Sequence, residues 1–177
     1  MNRPNNGAGT LRVALDRDTA LIRVEGRGNF QSAPALREFG ELARRKGVRH
    51  LVLDGIDCDA MDSTFIGTLV GLANGYRDAG GRVSAVRIGD RLMKTLATLG
   101  VDRAIDLRPR AEPPAGIPGD AALPQSTDQS SLKRVIFDAH QTLSDLSDAN
   151  RAEFRDLMTY LEEELRRSPD ARPTDQP

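Results

Sequence analysis

Leu51-Val52-Leu53-Asp54-Gly55-Ile56-Asp57-Cys58-Asp59-Ala60-Met61-Asp62-Ser63-Thr64-Phe65-Ile66-Gly67-Thr68-Leu69 is the stretch that decides how this chain folds. With His50 it opens as an unbroken apolar run, the pattern of a strand covered on both faces, so residues 50 to 54 belong at the centre of a sheet. It then passes through a turn dense in aspartate. After Asp62 the apolar residues recur at helical spacing to residue 78, where Gly80-Gly81 stops the helix.

Working outward, Leu11, Val13 and Leu15 alternate with Arg12, Ala14 and Asp16, and residues 20 to 26 alternate again through Ile22 and Val24. Both segments read as half-covered strands joined by the turn Asp16-Arg17-Asp18-Thr19. Ser32 is placed as an N-cap, with Pro34 in the first turn and Leu36, Phe39, Leu42 and Ala43 at helical spacing up to Gly47. Residues 82 to 88 form another strand. Asp90 is placed as the cap of a third helix carrying Leu92, Leu96 and Leu99, and residues 104 to 107 as a last short strand. The order ββαβαβαβ implies an α/β fold, a mixed sheet of about five strands with helices packed on it.

The composition divides the rest. Residues 1–9 are small and polar and are expected to be disordered, 10–108 hold the domain, and 109–130 read as a flexible Pro-rich linker. Beyond it, Leu132, Val135, Ile136, Ala139, Leu143 and Leu146 make one apolar stripe, and Phe154, Leu157, Met158, Leu161 and Leu165 another. Residues 131–167 therefore read as a two-helix extension turned at residues 144 to 148, and 168–177 as a disordered tail. The extension has to bury its stripes, over the domain as a lid or against a second copy as a homodimer.

With 25 basic and 26 acidic residues the formal net charge is -1, which leaves no basic footprint for nucleic acid. The first seven residues lack the apolar core of a signal peptide, and the longest uncharged stretch, residues 63 to 76, is too short to cross a bilayer. A single cysteine, Cys58, makes no internal disulfide, in keeping with the cytoplasm.

On a helical wheel, Ile66, Leu69, Val70 and Ala73 gather as the buried stripe of the second helix, while Thr64, Gly67, Thr68, Gly71 and Gly75 share the opposite side. An ordinary surface helix carries Lys, Glu or Arg there. Each interior glycine costs about 0.5–1 kcal/mol relative to alanine, so something approaches this backbone closely. The visitor is either the chain's own structure or another protein, with Phe65, Leu72 and Tyr76 as an apolar border.

The segment quoted first resembles the STAS family, named for sulfate transporters and anti-sigma factor antagonists, in which an apolar strand leads to an Asp-Ser-Ser-Gly-Leu or Asp-Ser-Thr-Gly-Leu helix start. The likeness continues through Ala79-Gly80-Gly81-Arg82-Val83 and Leu99-Gly100-Val101-Asp102-Arg103 and covers residues of about 10 to 108. It implies a cytoplasmic bacterial signalling module that docks an anti-sigma factor/serine kinase-type partner and is phosphorylated by it, with Thr64 as phosphoacceptor and Ser63 as the second candidate. Phe65 stands where the family usually has glycine. Asn29 stands in the loop after the second strand, where an acidic residue commonly offers a partner contact. Asn29, Asp62, Phe65, Gly67, Thr68, Gly71 and Gly75 are then the partner-binding residues. A phosphate at the helix head is tolerated by free N–H groups and adds about -1.5 to -2 charge beside Asp62 and Asp59, so Thr64→Glu is expected to keep the fold and lose the partner. The competing reading is a scaffold that oligomerises through its helices and is never phosphorylated.

Catalytic chemistry finds no foothold in the pattern. His50 and His140 read as structural, and with one cysteine they make no zinc cluster. Asp54, Asp57, Asp59 and Asp62 lack the Asp-x-Asp-x-Asp-Gly spacing of a calcium loop and read as a solvated turn. Gly26-x-Gly28-x-x-Gln31 lacks the third glycine of a dinucleotide fingerprint. No cofactor, metal or enzymatic activity is expected.

Overall fold

Thr19–Gly28 (β2) is the longest strand of the computed structural model, which describes residues 9–125 and 128–167. The disorder expected of residues 1–8 and 168–177 lies outside the described residues. Thr10–Leu15 (β1) folds back antiparallel on β2 through the expected turn, closed by Asp16 N–H donating to the Thr19 carbonyl at 2.9 Å. His50–Asp54 (β3) pairs parallel with β2, Arg82–Val86 (β5) pairs parallel with β3, and Asp106–Arg108 (β6) with β5. The sheet order is β6-β5-β3-β2-β1-β7, so β3 is central, and Leu51, Val52 and Leu53 are at most 1% exposed.

Two strands were not foreseen. Cys58–Met61 (β4) pairs parallel with the last residues of β2, inside the segment read as a solvated turn. Ala121–Leu123 (β7) pairs antiparallel with β1, within the segment read as linker. Both are very short and owe their conformation to an open strand edge that accepts them, a property of the partner strand and not of their own sequence. Strand seven also closes a β1 edge that would otherwise be free.

Ala33–Arg45 (α1), Ser63–Asp78 (α2) and Asp90–Thr98 (α3) follow the expected order, with a 3-10 turn at Val101–Arg103 before β6. The caps differ in detail. Ser32 precedes α1, but its hydroxyl bonds Asn29, donating to the carbonyl at 3.0 Å and accepting from the amide at 3.1 Å, and Gly89 occupies the N-cap of α3 with Asp90 in its first turn. Helix α2 follows the predicted wheel: Ile66, Leu69, Val70 and Ala73 are at most 2% exposed.

Leu72 and Tyr76 do not border an open surface as expected. Leu72 sits so close to α1 that a Cβ on Gly40 would lie 2.7 Å from its Cδ1, and Tyr76 is fully buried with its hydroxyl donating to the Gly40 carbonyl at 3.1 Å. Burial pushes the Tyr76 phenol up to about 12. Tyr76→Phe removes this second donor from a carbonyl that also serves α1, so urea unfolding should show a loss of about 1 kcal/mol with an unchanged slope.

The C-terminal extension contains three helices, Gln129–Ser144 (α4), Asp148–Glu153 (α5) and Arg155–Arg167 (α6), because Ser147 caps a separate short helix before the chain turns again. Helix α4 packs on α2 and α1, and α5 and α6 pack on α4. Asn150 donates to the carbonyls of Leu99 and Leu143, both at 2.9 Å, tying α5 to the ends of α3 and α4. Phe154 and Leu161, expected in a dimer stripe, are used internally: Phe154 packs edge-on to His140 and Leu161 is 7% exposed.

Candidate functional site at the head of the second helix

Asp62 fixes the head of α2. It is the N-cap, accepting from the Phe65 amide at 2.8 Å, while its other carboxylate oxygen accepts from the Phe30 amide at 2.8 Å. One side chain thus caps the helix and holds the turn between β2 and α1 against it. Asn29 shapes the same turn, its side-chain oxygen accepting from the amides of Gln31 at 3.1 Å and Ser32 at 3.2 Å. Phe30 is left 42% exposed beside this junction.

Phe65 is wholly buried and does not stand at an exposed border as expected. Its ring lies over Gly28, where an added Cβ would meet it at 2.8 Å, so the residue that departs from the family pattern is accommodated by a glycine on the neighbouring strand. Thr64 is 5% exposed and Thr68 is 7% exposed, with the Thr68 hydroxyl donating to the Thr64 carbonyl at 2.8 Å. A glutamate at position 64 would have to enter a buried site, which overturns the expectation that Thr64→Glu leaves the fold untouched.

The visitor to the glycine face is α4. A Cβ on Gly67 would stand 2.2 Å from the Ala139 carbonyl oxygen, which is backbone against backbone. Val135, Ala139 and Leu143 of α4 are buried against the domain, at 5%, 2% and 0% exposure. Further along, a Cβ on Gly71 would meet only the Thr142 hydroxyl at 3.8 Å, and one on Gly75 the Arg44 Nε at 3.6 Å. Between them a cleft of about 340 Å³ remains, lined by Arg37, Arg44, Leu72, Asp138 and Thr142 among others. An ion pair from Arg37 to Asp138 at 2.8 Å bridges α1 to α4 across it. The face read as bare is therefore covered by the chain's own helix at Gly67, while the cleft keeps it open around Gly71 and Gly75.

His140, on α4, reaches the head of α2. Its Nδ1 lies 2.8 Å from the Ile136 carbonyl and its Nε2 2.8 Å from the Ser63 hydroxyl. A carbonyl only accepts, so Nδ1 carries a proton and donates; in the neutral imidazole Nε2 then accepts from the Ser63 hydroxyl. The ring is 3% exposed and meets the edge of Phe154 at a centroid distance of 5.2 Å. Ser63 itself is only half-buried. The partnership joins residues 77 positions apart, and neither local periodicity nor any short motif announces it.

The other titratable groups serve the scaffold. His50 Nε2 lies 2.6 Å from the Ser84 hydroxyl on the next strand, and burial, then Arg82 and Arg108, hold its pKa below the ordinary histidine value. Burial pushes the Cys58 thiol up to about 11, far from a reactive thiolate. Asp54 is turned to Arg23 and Arg87, away from Asp62. Among the described residues no helix is long and apolar enough to cross a membrane.

Residues 11–109 match the family model described as Mlab, STAS domain. Among solved structures, the anti-sigma factor antagonist SpoIIAA in its unphosphorylated form shares 16% identity over 55% of this chain and 86% of that one, with a TM-score of 0.50. The Thermotoga maritima protein TM1081, described as a candidate anti-sigma factor antagonist, shares 17% identity over 55% of this chain and 85% of that one, with a TM-score of 0.51. At these identities the likeness is one of fold. No curated protein sequence matches the chain. The family match ends at residue 109, so α4, α5 and α6 lie outside it.

Proposed function

Because this chain belongs to the STAS family, we propose that it is a protein-binding module of the anti-sigma factor antagonist kind, whose docking element is α2 and whose own α4 occupies the docking face until a partner displaces it. The observation that carries this reading is the backbone contact of Gly67 with Ala139. A face that admits a helix at such close range selects partners that present a helix with a small residue at the crossing point, in the manner of helix-in-groove recognition. Binding is then an exchange of helices. The partner replaces burial that α4 already supplies, so each 1.4 kcal/mol by which the closed form is favoured weakens the apparent affinity about tenfold.

In this reading the partner is an anti-sigma factor/serine kinase-type protein, the setting is the bacterial cytoplasm, and a hydroxyl at the head of α2, Ser63 or Thr64, receives a regulatory phosphate. Ser63 is the more accessible of the two. The experiment is crosslinking of the tagged full chain in its source cell, followed by peptide mapping. Crosslinks to a nucleotide-binding kinase-type protein should cluster on residues 62 to 75, with phosphate found between Asp62 and Gly67. Crosslinks confined to other faces, with no phosphate there, would reject the docking reading.

The scaffold reading rests on α6, a largely exposed helix that buries only Met158 and Leu161 and leaves the apolar Leu157 37% and Tyr160 59% exposed. Light scattering separates the two. A concentration-dependent dimer abolished by Tyr160→Asp favours the scaffold, and a monomer favours the docking module.

A further inference from the structure

Arg12 on β1 stands directly opposite Arg23 on β2 in the antiparallel register, and Arg23 stands opposite Asp54 on β3. All three lie on the sheet face turned away from α2, because their neighbours Leu11, Val13, Ile22 and Val24 belong to the core that Phe65 and Ile66 of α2 complete. Like charges facing each other across a strand pair destabilise a sheet. We infer that this arginine row is a binding site for a small organic monocarboxylate with a compact apolar body, held between the sheet and the strap of residues 112–120. Nothing in it rests on the docking reading, which concerns the opposite face.

A cleft of about 430 Å³ lies there, bounded by Arg12, Arg23 and Arg87, by Ala14 and Leu21 of the sheet, and by the strap. That volume is in the range of small-molecule pockets. Pro113 and Ile117, the half-buried residues of the strap that line the cleft, supply its apolar wall. The strap is lightly held. The Leu15 amide donates to the Pro118 carbonyl at 3.2 Å, and two ion pairs of 3.3 Å, Arg12 to Asp120 and Arg87 to Glu112, fasten its ends.

The chemistry of the ligand follows from which donors are taken. Asp54 is wholly buried and accepts from Arg23 Nε at 3.1 Å and Arg87 Nε at 2.9 Å, so one carboxylate orients two guanidinium groups. Arg23 is thereby fixed through Nε, while neither of its terminal nitrogens has a hydrogen-bond partner among the described residues. A carboxylate fits that free edge with two parallel hydrogen bonds. Charge speaks against a dianion, because Glu25, Asp54, Glu112 and Asp120 already face the three arginines. Glu112 and Asp120 are 79% and 67% exposed, so water screens their pairs and a monoanion seated on Arg23 displaces them with little loss. The strap's own carboxylates hold the arginines until the ligand arrives.

The test is an NMR titration of the isotope-labelled full chain with benzoate. Benzoate should saturably shift the Arg23 Nε resonance and the amides of residues 12 to 14, 21 to 23 and 115 to 120, and leave residues 63 to 75 in place. Acetate, which has no ring to bury, should bind about tenfold more weakly. Arg23→Lys keeps the charge beside Asp54 but loses the fork, and should weaken benzoate about tenfold. Asp120→Asn removes a competing carboxylate and should tighten binding about threefold, whereas Asp148→Asn, the same change in charge on α5, should leave it unaltered. Both aspartates are exposed, so neither change threatens the fold. The absence of a saturable shift overturns the proposal. Acetate binding as tightly as benzoate overturns it too, since the cleft would then hold any anion, and so does Asp120→Asn binding no more tightly than Asp148→Asn, since the strap would then have no part in the site.

Discussion

Replacing Gly67 with valine should detach α4 from α2 and leave the sheet domain folded. The added Cβ would fall 2.2 Å from the Ala139 carbonyl oxygen and 2.7 Å from its carbonyl carbon. These are backbone atoms of a helix, which cannot swing aside as a flexible side chain does, so α4 must translate as a body. Doing so uncovers Val135, Ala139 and Leu143 and breaks the Ser63–His140 hydrogen bond. Overpacking of this kind costs typically about 1–3 kcal/mol, and the lost burial adds to it, so the docked state of α4 should weaken by roughly 3 kcal/mol or more. Limited proteolysis measures this directly: cleavage between residues 109 and 147 should accelerate by two orders of magnitude or so, while a core of residues 10 to 108 survives. Gly71→Ala is the control. There the Cβ meets only the Thr142 hydroxyl at 3.8 Å, ordinary contact, and the helix gains about 0.5–1 kcal/mol in propensity, so stability should hold or rise. Equal proteolysis of Gly67→Val and wild type would mean that α4 does not need the glycine and that the close crossing has no part in closing the face.

That contrast shows where the sequence stops being legible. Gly67, Gly71 and Gly75 look alike on a helical wheel, and their pattern correctly says that something lies over α2. Only the crossing geometry says that one of them is obligatory, that α4 is what covers it, and that Gly75 faces the Arg44 side chain instead. The central strand was readable because Leu51, Val52 and Leu53 are apolar on both faces, and α2 because its apolar stripe and its Asp62 cap agree. Strands β4 and β7 were not, since four residues such as Cys58–Met61 carry too little periodicity and their conformation is set by the edge they join. Phe65 misled for a related reason. A bulky residue in a glycine position reads as part of an exposed apolar border until Gly28, on a neighbouring strand, is seen to make room for it. His140 was legible as structural but not as a partner of Ser63, because nothing in a single sequence couples positions 77 residues apart.

Asp54→Ala should be the most damaging single change in the sheet, with a loss of about 3 kcal/mol or more. The carboxylate is wholly buried at the end of β3 and accepts from Arg23 Nε at 3.1 Å, from both Nε and a terminal nitrogen of Arg87, and from the Ile56 amide at 3.2 Å. Arg87 has φ of 50°, in the left-handed region that a non-glycine residue adopts at a cost, and its fork on Asp54 holds it there. Removing one partner of such a pair typically costs about 3–5 kcal/mol, and the partial exposure of both arginines places this case towards the lower end. The pH dependence has a defined sign. Burial by itself pushes the Asp54 carboxyl up, but hydrogen bonds from Arg87, Arg23 and the Ile56 amide outweigh it and hold the folded pKa below the ordinary value of 3.8. A depressed folded pKa contributes stability that is fully present well above that value and is lost as pH falls through it towards the folded pKa. Urea midpoints for the wild type should therefore be flat near pH 7 to 5 and drop below about pH 4, while Asp54→Asn, with no proton to take up, should be less stable at neutral pH and converge on the wild type in acid. Should the two proteins stay a constant distance apart down to about pH 3, the carboxylate would not be the group that titrates, and Arg87 would be held in its left-handed conformation by packing and not by charge.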